Sequence, residues 1–352
     1  MSAQYFLLHY WAWRAAPLLG CLLGFAAYAA VVRRHTVISA SVLPPTEPSL
    51  CSPKSRLTHF AAVNSARPWL FGSAMLVFLL ALVSPVETLA DGYLFSAHML
   101  QHLLLLLVVP ALALLSLPAF AASAPNQPAP GGARTLVRSN THIPDRPRSA
   151  EVPGDGALLR TKVRAPLSKC AHAVGLPRFM TNPLSTWCAG VGAMWLWHAP
   201  ALCNAATTNP AVRGIQTVSL LIAGTFFWWP ILGPQWSRRL PPLLGIIYLF
   251  TACTACTLLG IFITFSPVTV CSAYGHPADA LGLLPLIRNR WGLTAQVDQQ
   301  IGGLLMWVPA CLIYLSGILG LLARWYRDAE MPLPASSNIG SGPATTIAQR
   351  HA

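Results

Sequence analysis

His98-Met99-Leu100-Gln101-His102-Leu103-Leu104-Leu105-Leu106-Leu107-Val108-Val109-Pro110 puts two histidines, a methionine and a glutamine at the head of an apolar run. The run is long enough to enter a bilayer. On a helix, positions i and i+4 share a face, so His98 and His102 can present two imidazoles to one metal ion. Hydrocarbon makes an imidazole costly unless it faces a protein interior, a cavity or a partner, which marks the pair as a candidate functional site.

The rest of the chain agrees with a membrane setting. Its 352 residues are 54% hydrophobic and only 9% charged, outside the range of soluble domains. Seven windows are apolar enough to span: about Ala15–Val32, Trp69–Glu87, Leu94–Phe120, Ser185–Ala206, Ile215–Leu232, Leu240–Phe265 and Ile301–Trp325. The expected fold is therefore an all-α polytopic bundle of about seven transmembrane helices.

Charge gives the orientation. Of 23 Lys and Arg residues, all but Arg14, Arg213, Arg288 and Arg290 fall in alternate loops or the C-terminal tail. Basic residues mark the cytoplasmic side, so the N-terminus is expected outside and the C-terminus inside, with the first span an uncleaved helix. The formal charge of +13 then describes inner loops beside a lipid bilayer, not a nucleic-acid surface. Four segments follow: helices one to three in 1–122, a disordered basic cytoplasmic loop in 123–182, helices four to seven in 183–325 and a disordered tail in 326–352. Within the loop, Lys162 to Arg178 is a candidate amphipathic piece for anionic headgroups.

With that orientation, His98 and His102, His198 at the end of Trp195-Leu196-Trp197-His198-Ala199-Pro200, and the start of helix seven at Asp298-Gln299-Gln300 all gather near the outer face. The candidate metal ligands are His98, His102, His198 and Met306, with Met99 as another soft donor. Asp298, Gln299 and Gln101 are expected behind them. Asp298 has an equally good reading as the N-cap of its own helix, and Met306 as a core filler. Gly302-Gly303 is expected to allow close helix contact. Nine cysteines form no disulfide framework. Cys253 and Cys256, at i and i+3, read first as small packing residues and second as a soft ligand pair. Cys203 and Cys271 both map near the outer face, where a disulfide is permitted.

No enzyme is indicated. His98-Met99-Leu100-Gln101-His102 has the spacing of the zinc-protease helix, but Met99 stands where the general-base glutamate belongs. Histidines on helices three and four could ligate one haem iron from opposite faces, which keeps a haem-binding redox protein as an alternative. His98 and His102, on one face, cannot both be axial ligands of one haem. A proton or small-solute transporter using the same histidines and a metal-free scaffold remain as alternative functions.

Four ordered motifs carry a family resemblance: Phe95-Ser96-Ala97-His98-Met99-Leu100-Gln101-His102 followed by leucines and Pro110, Trp195–Pro200, Phe227-Trp228-Trp229-Pro230, and Asp298-Gln299-Gln300-Ile301-Gly302-Gly303-Leu304-Leu305-Met306-Trp307. Over about residues 68 to 325 the chain resembles the CtaG family, multi-pass assembly factors of caa(3)-type cytochrome c oxidase. The resemblance implies a helper in oxidase maturation in the cell (inner) membrane, aiding copper insertion from the outer face. It implies transient copper as cargo, and oxidase subunits and periplasmic copper chaperones as partners. Two features depart from the family pattern: Gln216 stands where a histidine is frequent, and the loop between helices three and four is longer.

Overall fold

A computed structural model of the chain describes residues 3–42, 54–118, 182–235 and 239–330, and the elements among them are helical. In chain order they are α1 (Ala3–His9), α2 (Ala15–Val42), α3 (Lys54–Val83), α4 (Pro85–Ala90), α5 (Phe95–Leu103), a π-helical turn (Leu104–Val108), α6 (Val109–Ser116), α7 (Pro183–Trp197), α8 (Pro200–Thr208), α9 (Pro210–Leu232), α10 (Pro242–Phe265), α11 (Ser272–Gly275), a second π-helical turn (Pro285–Arg290) and α12 (Ala295–Glu330). The basic loop expected at 123–182 lies outside the described residues except for Asn182, and so does the tail beyond Glu330.

Local chemistry sets the helix starts. Proline occupies the first position of α4, α7, α8, α9 and α10, where its missing N–H is no loss. Ser84, Asn182 and Asn209 cap their helices by accepting from the backbone N–H two residues on. Gly92 takes φ of 100° in the reversal between α4 and α5, a conformation open to glycine and strained for other residues.

Six stretches are long and apolar enough to cross a membrane: Ala15–Thr36, Ala66–Val83, Phe95–Ser116, Pro210–Leu232, Pro242–Phe265 and Ala295–Glu330. The expected seventh, Ser185–Ala206, is not one continuous helix. Pro200 has no N–H and cannot continue α7, and Ala199 before it is held extended. The window therefore divides into α7 and α8, with His198 at the break. A second boundary also moves: α3 ends at Val83, and Glu87, expected at the end of span two, lies in the separate short helix α4.

The Phe95–Ser116 span is the most enclosed of the six and α2 the least. Pro110 explains its π-helical turn: without a proline N–H for the Leu106 carbonyl, the ladder widens and the Val109 N–H bonds to Leu104 O, five residues back. Gly224 of α9 lies directly against that Leu106 carbonyl, and a Cβ there would collide with it. Gly224→Val is expected to destabilise the bundle by about 1–3 kcal/mol through overpacking. Gly192→Ala on α7, where a Cβ meets open space, serves as the control. Thermal unfolding in detergent checks both; equal melting points would refute the close approach of α9.

Candidate functional site

α5 turns an unusually polar face inward. His98, Met99, Gln101 and His102 are all buried. As their spacing requires, the His98 and His102 rings neighbour each other, with centroids 4.3 Å apart. His198, carried by the break between α7 and α8, brings its ring to 5.2 Å from His102, nearly perpendicular. Three imidazoles from two parts of the chain thus share one interior site.

The hydrogen bonds define its state. His198 Nδ1 donates to the Met194 carbonyl at 2.6 Å; a carbonyl only accepts, so the proton sits on Nδ1. In the neutral ring Nε2 then carries a lone pair, and it faces the Met99 sulfur at 2.9 Å. Two soft donors converge there with no proton required between them. Gln216 Nε2 lies 3.4 Å from His98 Nε2. His98 Nδ1 and both nitrogens of His102 are buried without a hydrogen-bond partner among the described residues. A buried polar group left unpaired costs about 1–3 kcal/mol, and three such atoms stand in one cluster.

The remaining expected site residues fall elsewhere. Met306 is buried in the apolar core, where its carbonyl accepts from the Cys256 thiol at 3.2 Å. The thioether that touches an imidazole belongs to Met99. Asp298 neither orients an imidazole nor caps its own helix, since α12 begins at Ala295. Its carboxylate instead caps α5: Oδ2 accepts from Phe95 N at 2.7 Å, and Oδ1 from Ser96 N at 3.1 Å and from the Ser96 hydroxyl. A negative group at a helix N-terminus is favoured by the helix dipole. Gln299 clamps the segment after α10, accepting from Val270 N at 2.7 Å and donating to the Ile263 and Val268 carbonyls. Gly302 permits the close helix contact expected of it: a Cβ there would strike Phe95 and Met99.

Gln101 belongs to a charged network that the sequence reading missed. Its amide donates to Ala81 O at 2.6 Å and to Glu87, and its carbonyl oxygen accepts from Arg213 at 3.3 Å. Arg213 and Glu87 are both buried and pair at 3.3 Å, while the half-exposed Arg14 reaches Glu87 at 3.0 Å. Two isolated charges abutting apolar windows were the available signal.

A cap closes this end. Cys203 of α8 and Cys271 before α11 form a disulfide, as their shared location permits. Asn204 accepts from Ala273 N at 3.0 Å. Tyr274 sets its ring 5.7 Å from both Phe95 and His98, and its hydroxyl donates to Ala90 O at 2.9 Å. Beside the charged network lies a cavity of about 310 Å³, lined by Arg14, Thr88, Asp91 and Tyr93 among others. No three His, Cys, Asp or Glu side chains among the described residues are arranged to hold a metal ion together. The donor set is instead mixed, imidazole with thioether, the kind that soft Cu(I) accepts.

Spanning helices around a buried cluster of imidazoles and a thioether define a polytopic membrane helix bundle with a soft donor set in its interior. The chain belongs to the family of cytochrome c oxidase caa3 assembly factors (Caa3_CtaG), which it matches over residues 54–328. It is also 26% identical over 261 residues to an uncharacterized protein of Mycobacterium leprae (strain TN). That match covers 74% of this chain, and the chain spans about a third of the relative's length (34%). No solved structure matches it.

Proposed function

We propose that the chain serves cytochrome c oxidase maturation by holding Cu(I) transiently near the outer face of the cell (inner) membrane and passing it toward the oxidase. The ion is cargo, taken between His102, His198 Nε2 and Met99 Sδ, with His98 beside them. The observation that carries this reading is the set of three unpartnered imidazole nitrogens next to a converging nitrogen–sulfur pair. A purely structural cluster would gain by satisfying or replacing those atoms.

Neutral imidazoles and a thioether bind Cu(I) without losing protons, so uptake and release need no change in charge of the ligands. The family membership supports oxidase subunits as the recipient and the charge alternation supports delivery outside, where periplasmic copper chaperones are the suppliers in this scheme. No catalytic step is assigned to the chain.

Replacing His98 and His102 together with alanine in the producing cell is expected to leave the chain in the membrane while oxidase copper content and activity fall at least tenfold. Immunodetection in membranes and metal analysis of the isolated oxidase check this. Full oxidase copper with the variant in place would reject the role, and a His98→Gln/His102→Gln chain that restores it would favour the metal-free scaffold.

A further inference from the structure

We propose that the cavity beside Arg14 and Asp91 seats the headgroup of a phospholipid of the phosphoethanolamine type, drawn from the leaflet at the histidine end of the bundle. The cavity, about 310 Å³ in volume, opens between the N-terminal segment, the end of α4 and the loop at 278–281. Small-ligand pockets start at about this size, roughly 300 Å³. Arg14 immediately precedes the span that begins at Ala15, and Tyr93 stands just before the one that begins at Phe95. The cavity therefore sits at headgroup depth. Trp11 and Trp13, stacked on each other and exposed, flank Ala12 of its wall, and indoles gather at the membrane–water interface.

The lining selects the headgroup. Arg14 spends one N–H on Glu87 at 3.0 Å and one on Asp91 at 2.6 Å, out of the five a guanidinium carries. Its half-exposed fork keeps donors to spare. The Tyr93 hydroxyl accepts from Leu281 N at 2.9 Å, which leaves its own proton to donate. Guanidinium and phenol together suit a phosphate. Asp91 supplies the opposite sign: its partly exposed carboxylate meets Arg14 and lies 3.6 Å from Arg213, with lone pairs left for an ammonium.

Arg14 and Arg213 already cancel the charges of Glu87 and Asp91. An anion or a cation alone would upset that balance, and a zwitterion preserves it. A choline headgroup is also zwitterionic but has no N–H with which to reach Asp91. Leu281 in the wall and Trp13 beside it are exposed apolar side chains, which the glycerol and acyl carbons of a lipid cover and a free zwitterion does not. The site stands whether or not the histidines hold copper.

The test is native mass spectrometry of the full-length, delipidated, detergent-purified chain with one lipid added at a time, all with the same acyl chains: phosphatidylethanolamine, phosphatidylcholine or phosphatidylglycerol. The ethanolamine lipid is expected to bind as a single molecule per chain, roughly tenfold or more tighter than either other lipid, the worth of one charge-assisted hydrogen bond. Asp91→Asn should erase the preference over the choline lipid, and Arg14→Gln should weaken all three. Ala280→Trp, which fills the cavity and leaves the ion pairs in place, should abolish the tight adduct, and it decides the matter if the melting points show that the charge variants do not fold. Equal retention of the three lipids, or an unchanged preference in Ala280→Trp, would overturn the site. Soluble glycerophosphoethanolamine binding as tightly as the whole lipid would overturn the lipid as its occupant.

Discussion

Arg213→Met is expected to destabilise the bundle by about 3–5 kcal/mol, because removing one partner of a buried ion pair leaves the other charge uncompensated. Arg213 faces Glu87 at 3.3 Å with both side chains buried, and it also donates to the Ala90 carbonyl at 3.2 Å and to Gln101. Arg14 supplies Glu87 with a second cation, but from a half-exposed position, so the loss is expected toward the lower end of that range. Glu87→Gln/Arg213→Met should recover most of the stability, since a neutral amide still accepts from Gln101 and no charge is stranded. Thermal unfolding of the detergent-solubilised variants decides it. A single variant as stable as the parent would mean that the pair does not hold α4, α5 and α9 together.

Asp298→Ala is expected to be comparably severe. The carboxylate is the acceptor for Phe95 N, Ser96 N and the Ser96 hydroxyl, all buried at the start of α5. Each orphaned donor costs about 1–3 kcal/mol. Asp298→Asn keeps one oxygen acceptor and should lose less. His98 lies in the first turn of the same helix, so fraying its capped end should also weaken copper retention, with alanine worse than asparagine. Melting points together with copper retention check the order; Asp298→Ala matching the parent in both would contradict the cap.

Much of this architecture was readable in the residues, because long apolar runs are contiguous signals. The break at His198 was not: a hydropathy window averages over Pro200 and joins α7 to α8. The histidines could be gathered by depth, since i, i+4 spacing and topology both act through the chain's own geometry. The partners of the polar side chains could not. Asp298 caps a helix 203 residues away in sequence and Glu87 pairs across 126 residues, and no periodicity encodes such contacts. Likewise, position alone offered Met99 and Met306 as soft donors. Packing of Gly302 against Met99, and the Nδ1 bond that turns His198 Nε2 toward it, put Met99 and not Met306 against an imidazole. The contact of Cys253 is equally non-local: its thiol donates to Cys311 on another helix.

The most direct test of the account is anaerobic Cu(I) loading of the purified chain followed by removal of loosely held metal, with X-ray absorption separating nitrogen-bound copper from copper held by thiols alone. The account predicts about one retained copper per chain, with nitrogen and sulfur in its shell, and its loss on adding His98→Ala/His102→Ala. Equal copper retention with and without the two histidines would contradict it.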